Sequence, residues 1–454
     1  MKVFALVLVL AAAAHAGKVH PALKARLASG EVMDVIIELP SLEDIFTSPF
    51  VTGRSTVEAR TANMISMLKD RTAASRRPFV NILSELGLSN QRSIAAPLWI
   101  SNRFEVKNCD AALAEVLARV PGDFVIREPK IVSIIDGIES KPVSIEEVRQ
   151  NEAQWGVAMI KAPAAWNTTK GNGIVVGIID TGVHLNHEAL RDAYAGAWHD
   201  PTHNRPTPDD IQSHGTHCIG STLGRSNGIG VAPEARWIAC RGLSDFGSGS
   251  EADLLDCAQW MLSGADPKPH VITNSWGGGS GDPWYNEAMR AWIVAGQIPV
   301  FALGNSGPSC RSANSPGDSI YTIGVGATNN ADQMASFSSR GPTATMLKPE
   351  VSAPGQDIIS AGNSGTNSYT SKSGTSMATP HVAGAVALLL AQDPSRNFYA
   401  IKDLLETTGD QPPVDPADVN CGTGQQWPNN AFGHGRINCE NSVNANTTSS
   451  VIYF

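Results

Sequence analysis

Four polar residues stand where apolar runs give out: Asp180 closing "VVGIID", His214 in "SHGTHCIG", Asn305 closing "VFALGN" and Ser376 in "SKSGTSMATPHVAG". Singly, each has an ordinary reading. Asp180 and Asn305 suit turns, a lone histidine is more often a hydrogen-bonded structural residue, and Ser376, ahead of an apolar helical run, suits a helix cap. Together they form a chemical set. A serine hydroxyl is a poor nucleophile until a positioned imidazole takes its proton. The imidazole needs a carboxylate to fix its tautomer and stabilise its charged form. A tetrahedral oxyanion then needs preorganised donors, which an asparagine amide and a helix N-terminal N–H can supply. Asp180, His214, Ser376 and Asn305 offer one residue for each task.

Elements able to hold such a set are visible from about Trp155 onward. Residues 173–180, 236–240, 271–276, 298–305 and 320–327 are short, nearly continuous apolar runs, the pattern of parallel strands buried on both faces. Segments of helical spacing at 251–264 and 283–296 lie between them. Alternating strands and helices predict an α/β domain with a mostly parallel sheet flanked by helices over 155–445. In such sheets ligands bind outside the carboxyl ends of the strands. Residues 17–135 read as a smaller α+β unit, with strands at 33–40 and 123–135, an extended stretch at 96–108 and helices at 55–74 and 110–120. A linker at 136–154 joins the two, and 446–454 is a tail.

The chain of 454 residues has room for one large domain and one smaller one, and its formal net charge of −9 includes no polybasic surface for nucleic acid. Lys2, an apolar run and the small-x-small triplet ending at Ala16 predict a signal peptide over 1–16. No later stretch suits a membrane span, so a secreted, extracellular protein is expected. Its seven cysteines then enter an oxidising compartment, and an odd number leaves at least one without a partner in the chain. Cys421 and Cys439, flanking a loop-rich segment, are the expected disulfide, while Cys240, Cys257 and Cys310 cannot be paired from sequence. Asn167 and Asn446, both in "NTT", are candidate glycosylation acceptors, and no zinc-like Cys/His spacing occurs.

The blocks "GIIDTGV", "SHGTHCIG", "NSWGGG", "ALGNSGP", "SFSSRGP", "KPEVSAPG" and "SGTSMATPHVAGAVALLL" resemble, in order, those of the subtilisin-like serine peptidases (subtilases). The likeness runs from about Trp155 to Leu390, and its wording is nearest the bacillopeptidase F branch. The order Asp, His, Ser is that of subtilisin itself. The resemblance implies Asp180 as orienting carboxylate, His214 as general base and acid, Ser376 as nucleophile and Asn305 as oxyanion donor, with the Ser376 N–H beside it. A "GxSxG" esterase is excluded, because Ala378 occupies its second glycine and the histidine precedes the serine. Sedolisin-type acid peptidases would carry Glu and Asp where His214 and Asn305 stand.

The same resemblance makes Gly247, Ser248 and Gly249, together with Ser275, Trp276 and Gly277, extended segments that pair with a substrate peptide through main chain. Ser275, Trp276, Gly277 and the stretch from Gly304 to Ser306 would wall the pocket for the residue before the cut. These segments carry no acid, so broad or apolar-preferring cleavage is expected. Residues 17–135 resemble, by position and pattern, the propeptide of these enzymes: a folding aid and inhibitor cut off by self-cleavage within 135–150. No cofactor is required; calcium is the metal the family brings into view, yet its usual tight site should be missing, since Ala189 replaces the aspartate and 223–233 lacks the longer loop. Cys218 resembles the buried free thiol of the proteinase K and kexin branches. The expected protein is thus a monomeric serine endopeptidase made as a zymogen, whose partners are protein or peptide substrates and its own propeptide, with no nucleic acid and no membrane. Its rivals are a non-catalytic binding protein of the same fold and a narrow-specificity processing peptidase.

Overall fold

The computed structural model describes residues 17–53, 55–88, 94–134, 141–150, 152–344, 346–415, 418–421 and 426–445. The expected signal peptide, the segment 135–140, the tail and Asn446 lie outside them. The chain divides into two compact units, 1–130 and 131–454.

The first unit is a five-stranded sheet with helices. Its strands are β1 (Lys18–Val19), β2 (Met33–Glu38), β3 (Ile94–Leu98), β4 (Arg103–Cys109) and β5 (Val125–Arg127), in the order β1-β5-β2-β4-β3. Helices α1 (Pro21–Ala28), α2 (Val57–Glu85) and α3 (Ala111–Ala118) supply Leu23, Phe79, Leu83 and Leu117 to the core it shares with Val35, Ile37, Phe104 and Ile126. Thr56 caps α2 through the Ala59 amide at 3.3 Å, and Asp110 caps α3 through the Leu113 amide at 2.8 Å. The α2 helix outruns its expected end at 74 and passes through Pro78. Phe79, the next residue, and Leu83, about one turn further, are buried and hold it in place. The strand expected over 123–135 breaks at Pro129, so β5 stays in this sheet and the residues after it join the second unit.

The second unit opens with β6 (Ile131–Ile134) and β7 (Lys141–Val143). Its centre is a seven-stranded parallel sheet of β8 (Val175–Asp180), β9 (Tyr194–His199), β10 (Arg236–Arg241), β12 (Val271–Asn274), β14 (Ile298–Ala302), β15 (Ile323–Thr328) and β16 (Val351–Pro354), in the order β16-β15-β14-β12-β8-β10-β9. The expected apolar runs are all strands of this sheet, and the α/β architecture flanked by helices is as predicted. Two strands were not legible: β9 is a half-exposed edge, and β16 is only "VSAP". Helices α4 (His214–Leu223), α5 (Glu251–Gln259), α6 (Asn286–Val294), α7 (Thr375–Gln392), α8 (Phe398–Thr408) and α9 (Cys439–Asn444) complete the unit. The α7 helix is buried from Thr375 to Leu390 and packs along β12, β14, β15 and β16 and against α4. The run 271–276 does not stay one strand. After β12 the chain leaves the sheet, and β13 (Trp276–Gly277) joins a separate three-stranded sheet, β11-β6-β13, with β11 (Ser248–Ser250) on its other side. A third sheet pairs β17 (Ile358–Ala361), β18 (Tyr369–Lys372) and β7.

The expected Cys421–Cys439 disulfide is not formed. Cys240 at the end of β10 bonds Cys257 on α5, and Cys310 bonds Cys421, 111 residues away. The turn 418–421 is drawn to the 310–340 region by the buried Asp418–Arg340 ion pair at 2.8 Å. Cys439, by contrast, begins α9 inside the main core, its amide donating to the Ile160 carbonyl at 2.8 Å. Cys109, Cys218 and Cys439 are free and buried. Among the described residues no helix is long and apolar enough to cross a membrane.

Candidate active site

The four residues singled out by type lie at the carboxyl ends of strands or the starts of helices. Asp180 is the last residue of β8 and His214 the first of α4. Asn305 follows β14, and Ser376 is the second residue of α7. Asp180, His214 and Ser376 are each 1% exposed or less.

Asp180 Oδ1 accepts the Thr181 amide at 2.8 Å and lies 2.8 Å from His214 Nδ1. A carboxylate partner makes Nδ1 the protonated nitrogen and leaves Nε2 as the one able to take a proton. Nε2 is buried, with no hydrogen-bond partner among the described residues. Burial disfavours the charged imidazole, but the adjacent Asp180 outweighs it and holds the His214 pKa well above its ordinary value. Cys218, 3.8 Å from Nδ1, has its own pKa pushed up by burial and is a neutral thiol, so the attraction that counts is that of Asp180. The Cys218 Sγ also lies 3.4 Å from the Ser376 carbonyl, so one thiol touches both the imidazole and the serine backbone.

Ser376 Oγ donates to the Ser275 carbonyl at 3.1 Å, and Ser275 Oγ donates back to the Ser376 carbonyl at 3.0 Å. The Ser376 amide belongs to the first turn of an 18-residue helix, where N–H groups lack intrahelical partners and the dipole is positive. Asn305 is oriented by its neighbour. Thr375 donates to Asn305 Oδ1 through its amide at 2.9 Å and its hydroxyl at 3.0 Å. A backbone amide can only donate, which assigns Oδ1 and turns the Nδ2 group away from Thr375. The Thr375 hydroxyl in turn accepts the Gly304 amide at 3.2 Å. Thr375 escaped notice in the sequence because its work is to fix another side chain.

The expected substrate segments are occupied by the chain itself. β6 lies antiparallel between β11 and β13, with Ser133 opposite Ser248 and Gly277, Val132 opposite Gly249, and Ile134 opposite Trp276. The Ile134 amide donates to the Gly247 carbonyl at 2.7 Å. Gly247 has φ of +78°, a left-handed conformation that favours glycine, and a Cβ there would sit 2.9 Å from Ile134 Cδ1, so the isoleucine tip would have to shift. Along β6 the side chains alternate, Val132 buried and Ile131 and Ser133 exposed. One expectation needs correcting. The Trp276 ring is not a pocket wall: it is fully buried, its Nε1 donates to the Ile179 carbonyl at 2.9 Å, and it packs edge-on to Tyr285 and Phe301. Only its backbone faces the partner strand, because a ring of that size is better accommodated by the core. Asn314 links the two stretches, accepting from the Ser306 hydroxyl and donating to the Gly279 carbonyl, two residues beyond Gly277.

Ala189 is buried and offers no carboxylate, and the adjacent Glu188 is engaged by the Tyr369 hydroxyl at 2.7 Å. Asn167 is exposed in the turn after 162–165.

Residues 171–435 match the family model of the subtilase family. The chain is 37% identical over 328 residues to bacillopeptidase F of Bacillus subtilis (strain 168), covering 65% of this chain but only 22% of that much longer relative. It is 36% identical over 294 residues to thermitase of Thermoactinomyces vulgaris, covering 64% of this chain and 95% of thermitase. Serine protease AprX of Bacillus subtilis is 35% identical over 61% of this chain and 67% of its own length. With the strand-end aspartate, the helix-borne histidine and the serine at a helix start already in place, these likenesses identify the chain as a member of the subtilase family, a subtilisin-like serine endopeptidase.

Proposed function

We propose that Ser376 is the nucleophile, His214 the general base and then acid, Asp180 the carboxylate that orients and stabilises the imidazolium, and Asn305 Nδ2 with the Ser376 amide the oxyanion donors. The observation that carries this reading is the 2.8 Å contact of Asp180 with His214 Nδ1, which reserves Nε2 for a proton. Ser376 Oγ turns from the Ser275 carbonyl, gives its proton to Nε2 and bonds the scissile carbonyl carbon. The resulting oxyanion is held by the two donors. His214 then protonates the leaving amine, the acyl-enzyme forms, and water repeats the sequence with Nε2 again taking the proton.

The protein is made, on this reading, as a secreted precursor, with 1–16 a signal peptide and Asn167 an accessible glycosylation acceptor. The strand β6 is the last docked piece of an inhibitory propeptide, occupying the position of a substrate strand. Both β6 and β7 are held in sheets, so the processing cut falls between Ile134 and Lys141; the segment from Lys141 onward, hydrogen-bonded to β18, stays with the enzyme. Main-chain pairing and the apolar Val132 and Ile134 support broad or apolar-preferring cleavage of protein and peptide substrates by a monomer that needs no calcium at Ala189. N-terminal sequencing of the secreted protein and of its Ser376→Ala variant tests this. Wild type should begin between residues 135 and 141, and the variant should keep residues 17 onward. A mature terminus inside 155–445, or equal processing of the variant, would overturn the zymogen reading.

A further inference from the structure

The helix that carries His214 starts without help from its own cap. Ser213 precedes it with φ of 81°, a left-handed conformation unusual for a side-chain-bearing residue, and makes no side-chain capping bond. The first three amides of α4 are met from outside the helix. His214 donates to Gln212 Oε1 at 2.9 Å, Gly215 to Thr181 Oγ1 at 3.0 Å, and Thr216 to Asp210 Oδ2 at 2.9 Å.

Asp210 is the hub of this arrangement. It is 3% exposed. Besides the Thr216 amide, Oδ2 accepts the Thr216 hydroxyl at 2.6 Å. Oδ1 accepts the Thr181 hydroxyl and the Ser213 amide, each at 2.9 Å. Both hydroxyls accept a backbone amide on their other side, from Gly215 and from His184, so their protons are committed to Asp210. Burial pushes the Asp210 pKa up, and the bonds from these four committed donors work against it. The backbone of this stretch is pinned as well, since Asn363 Nδ2 donates to the Asp210 and Ile211 carbonyls at 3.0 and 2.8 Å.

Thr181 directly follows Asp180, and Ser213 directly precedes His214. One carboxylate therefore bonds the residue next to each member of the Asp180–His214 pair. The two elements also touch backbone to backbone: a Cβ on Gly215 would lie 2.2 Å from the Gly182 carbonyl oxygen. We infer that Asp210 is a positioning residue for the reaction, a buried clamp that locks the Asp180 turn and the start of the His214 helix into one register, so that the imidazole meets its carboxylate already aligned. This rests on the roles proposed above for Asp180 and His214. The clamp touches neither substrate nor the reacting atoms. It acts by holding geometry, and misplacement of a reacting group by about 1 Å can cost on the order of a hundredfold in rate.

The test compares kcat, KM and Tm of the processed protein and of variants made as the full chain. Asp210→Ala removes every acceptor, and Asp210→Asn sets an NH2 group against a committed donor. Each should lower kcat by about a hundredfold while KM stays within about twofold, because β11 and β13 are untouched. Thr181→Val, which cuts one arm of the clamp, should lower kcat less, and Thr181→Ser should restore it. Asp410→Ala, removing a clamp on Arg436 and Asn438 elsewhere in the unit, is the control: it should lower Tm at unchanged kcat. If Asp210 variants do not accumulate as folded protein, the Thr181 pair decides. Wild-type kcat in Thr181→Val or in folded Asp210→Ala, or a rate loss no larger than that of Asp410→Ala at equal loss of Tm, would overturn the inference. Turnover surviving in Ser376→Ala would instead overturn the assignment beneath it.

Discussion

Around His214, specific side-chain bonds converge: Asp180 on the imidazole, Thr181 and Asp210 on the helix start, Cys218 between the imidazole and Ser376. In the three-stranded sheet, β11 and β13 hold β6 chiefly through main-chain pairing, and their largest side chain, Trp276, is turned into the core. The first region depends on the identity of individual side chains. The second rests chiefly on main-chain pairing, a mode of contact that depends little on side-chain identity. Chemistry and binding should therefore fail differently when mutated, the one in kcat and the other in KM.

The largest effect expected from a single residue that makes no bond to substrate is at Asp180. Asp180→Asn should lower kcat by about 10⁴-fold, a magnitude known from triads of this kind, subtilisin's included, rather than obtained from this geometry. The sign of the accompanying pH shift does follow from the geometry. His214 must be neutral to accept a proton, and Asp180 raises its pKa. Activity should fall as pH drops through that raised value, and losing Asp180 should move the acid limb of the residual activity to lower pH. A pH–rate profile of both proteins checks this; an unmoved limb would separate the limb from His214. Next in size is Asn305→Ala, expected to cost roughly 10² to 10³ in kcat with little change in KM, the loss known for the equivalent donor in subtilisin. A smaller loss would mean that the Ser376 amide carries the oxyanion alone. Smallest is the cleft. Gly247→Ala sets a side chain in a left-handed conformation, worth about 1–2 kcal/mol, against the bound strand. Steady-state kinetics should show KM raised about tenfold and kcat nearly unchanged. Equal losses in kcat would erase the division between the two regions.

Much of this was legible in the sequence because it depends on local pattern. Strands β8, β10, β12, β14 and β15 are short, largely apolar runs, the pattern of a parallel sheet buried on both faces. What was missed depends on partners far away in sequence. The edge strand β9 is half-exposed and lacks the apolar signature. Cys421 pairs with Cys310 because an ion pair brings their loops together, which spacing does not encode. The motif "HGTH" holds two histidines one turn apart, and the resemblance implied the first of them. In the structure His214 faces Asp180, whereas His217 is bonded to the Ile358 and Thr370 carbonyls and its pKa is pushed well below the ordinary value, by burial first and then by the charge of Lys372. Asp210 and Thr181 were invisible for a related reason. Acidic residues ahead of a helix are a start signal, but which amides they serve is known only once the helix is placed.

The most direct measurement is labelling of the protein freed of residues 17–134 with a fluorophosphonate, followed by peptide mapping and repeated on His214→Ala. A stoichiometric adduct on Ser376 in wild type, lost in His214→Ala, is the expected result, because the hydroxyl becomes a nucleophile only when the imidazole takes its proton. An adduct on another residue, or none on protein from which residues 17–134 have been removed, would contradict the central claim that Asp180, His214 and Ser376 act as one catalytic unit.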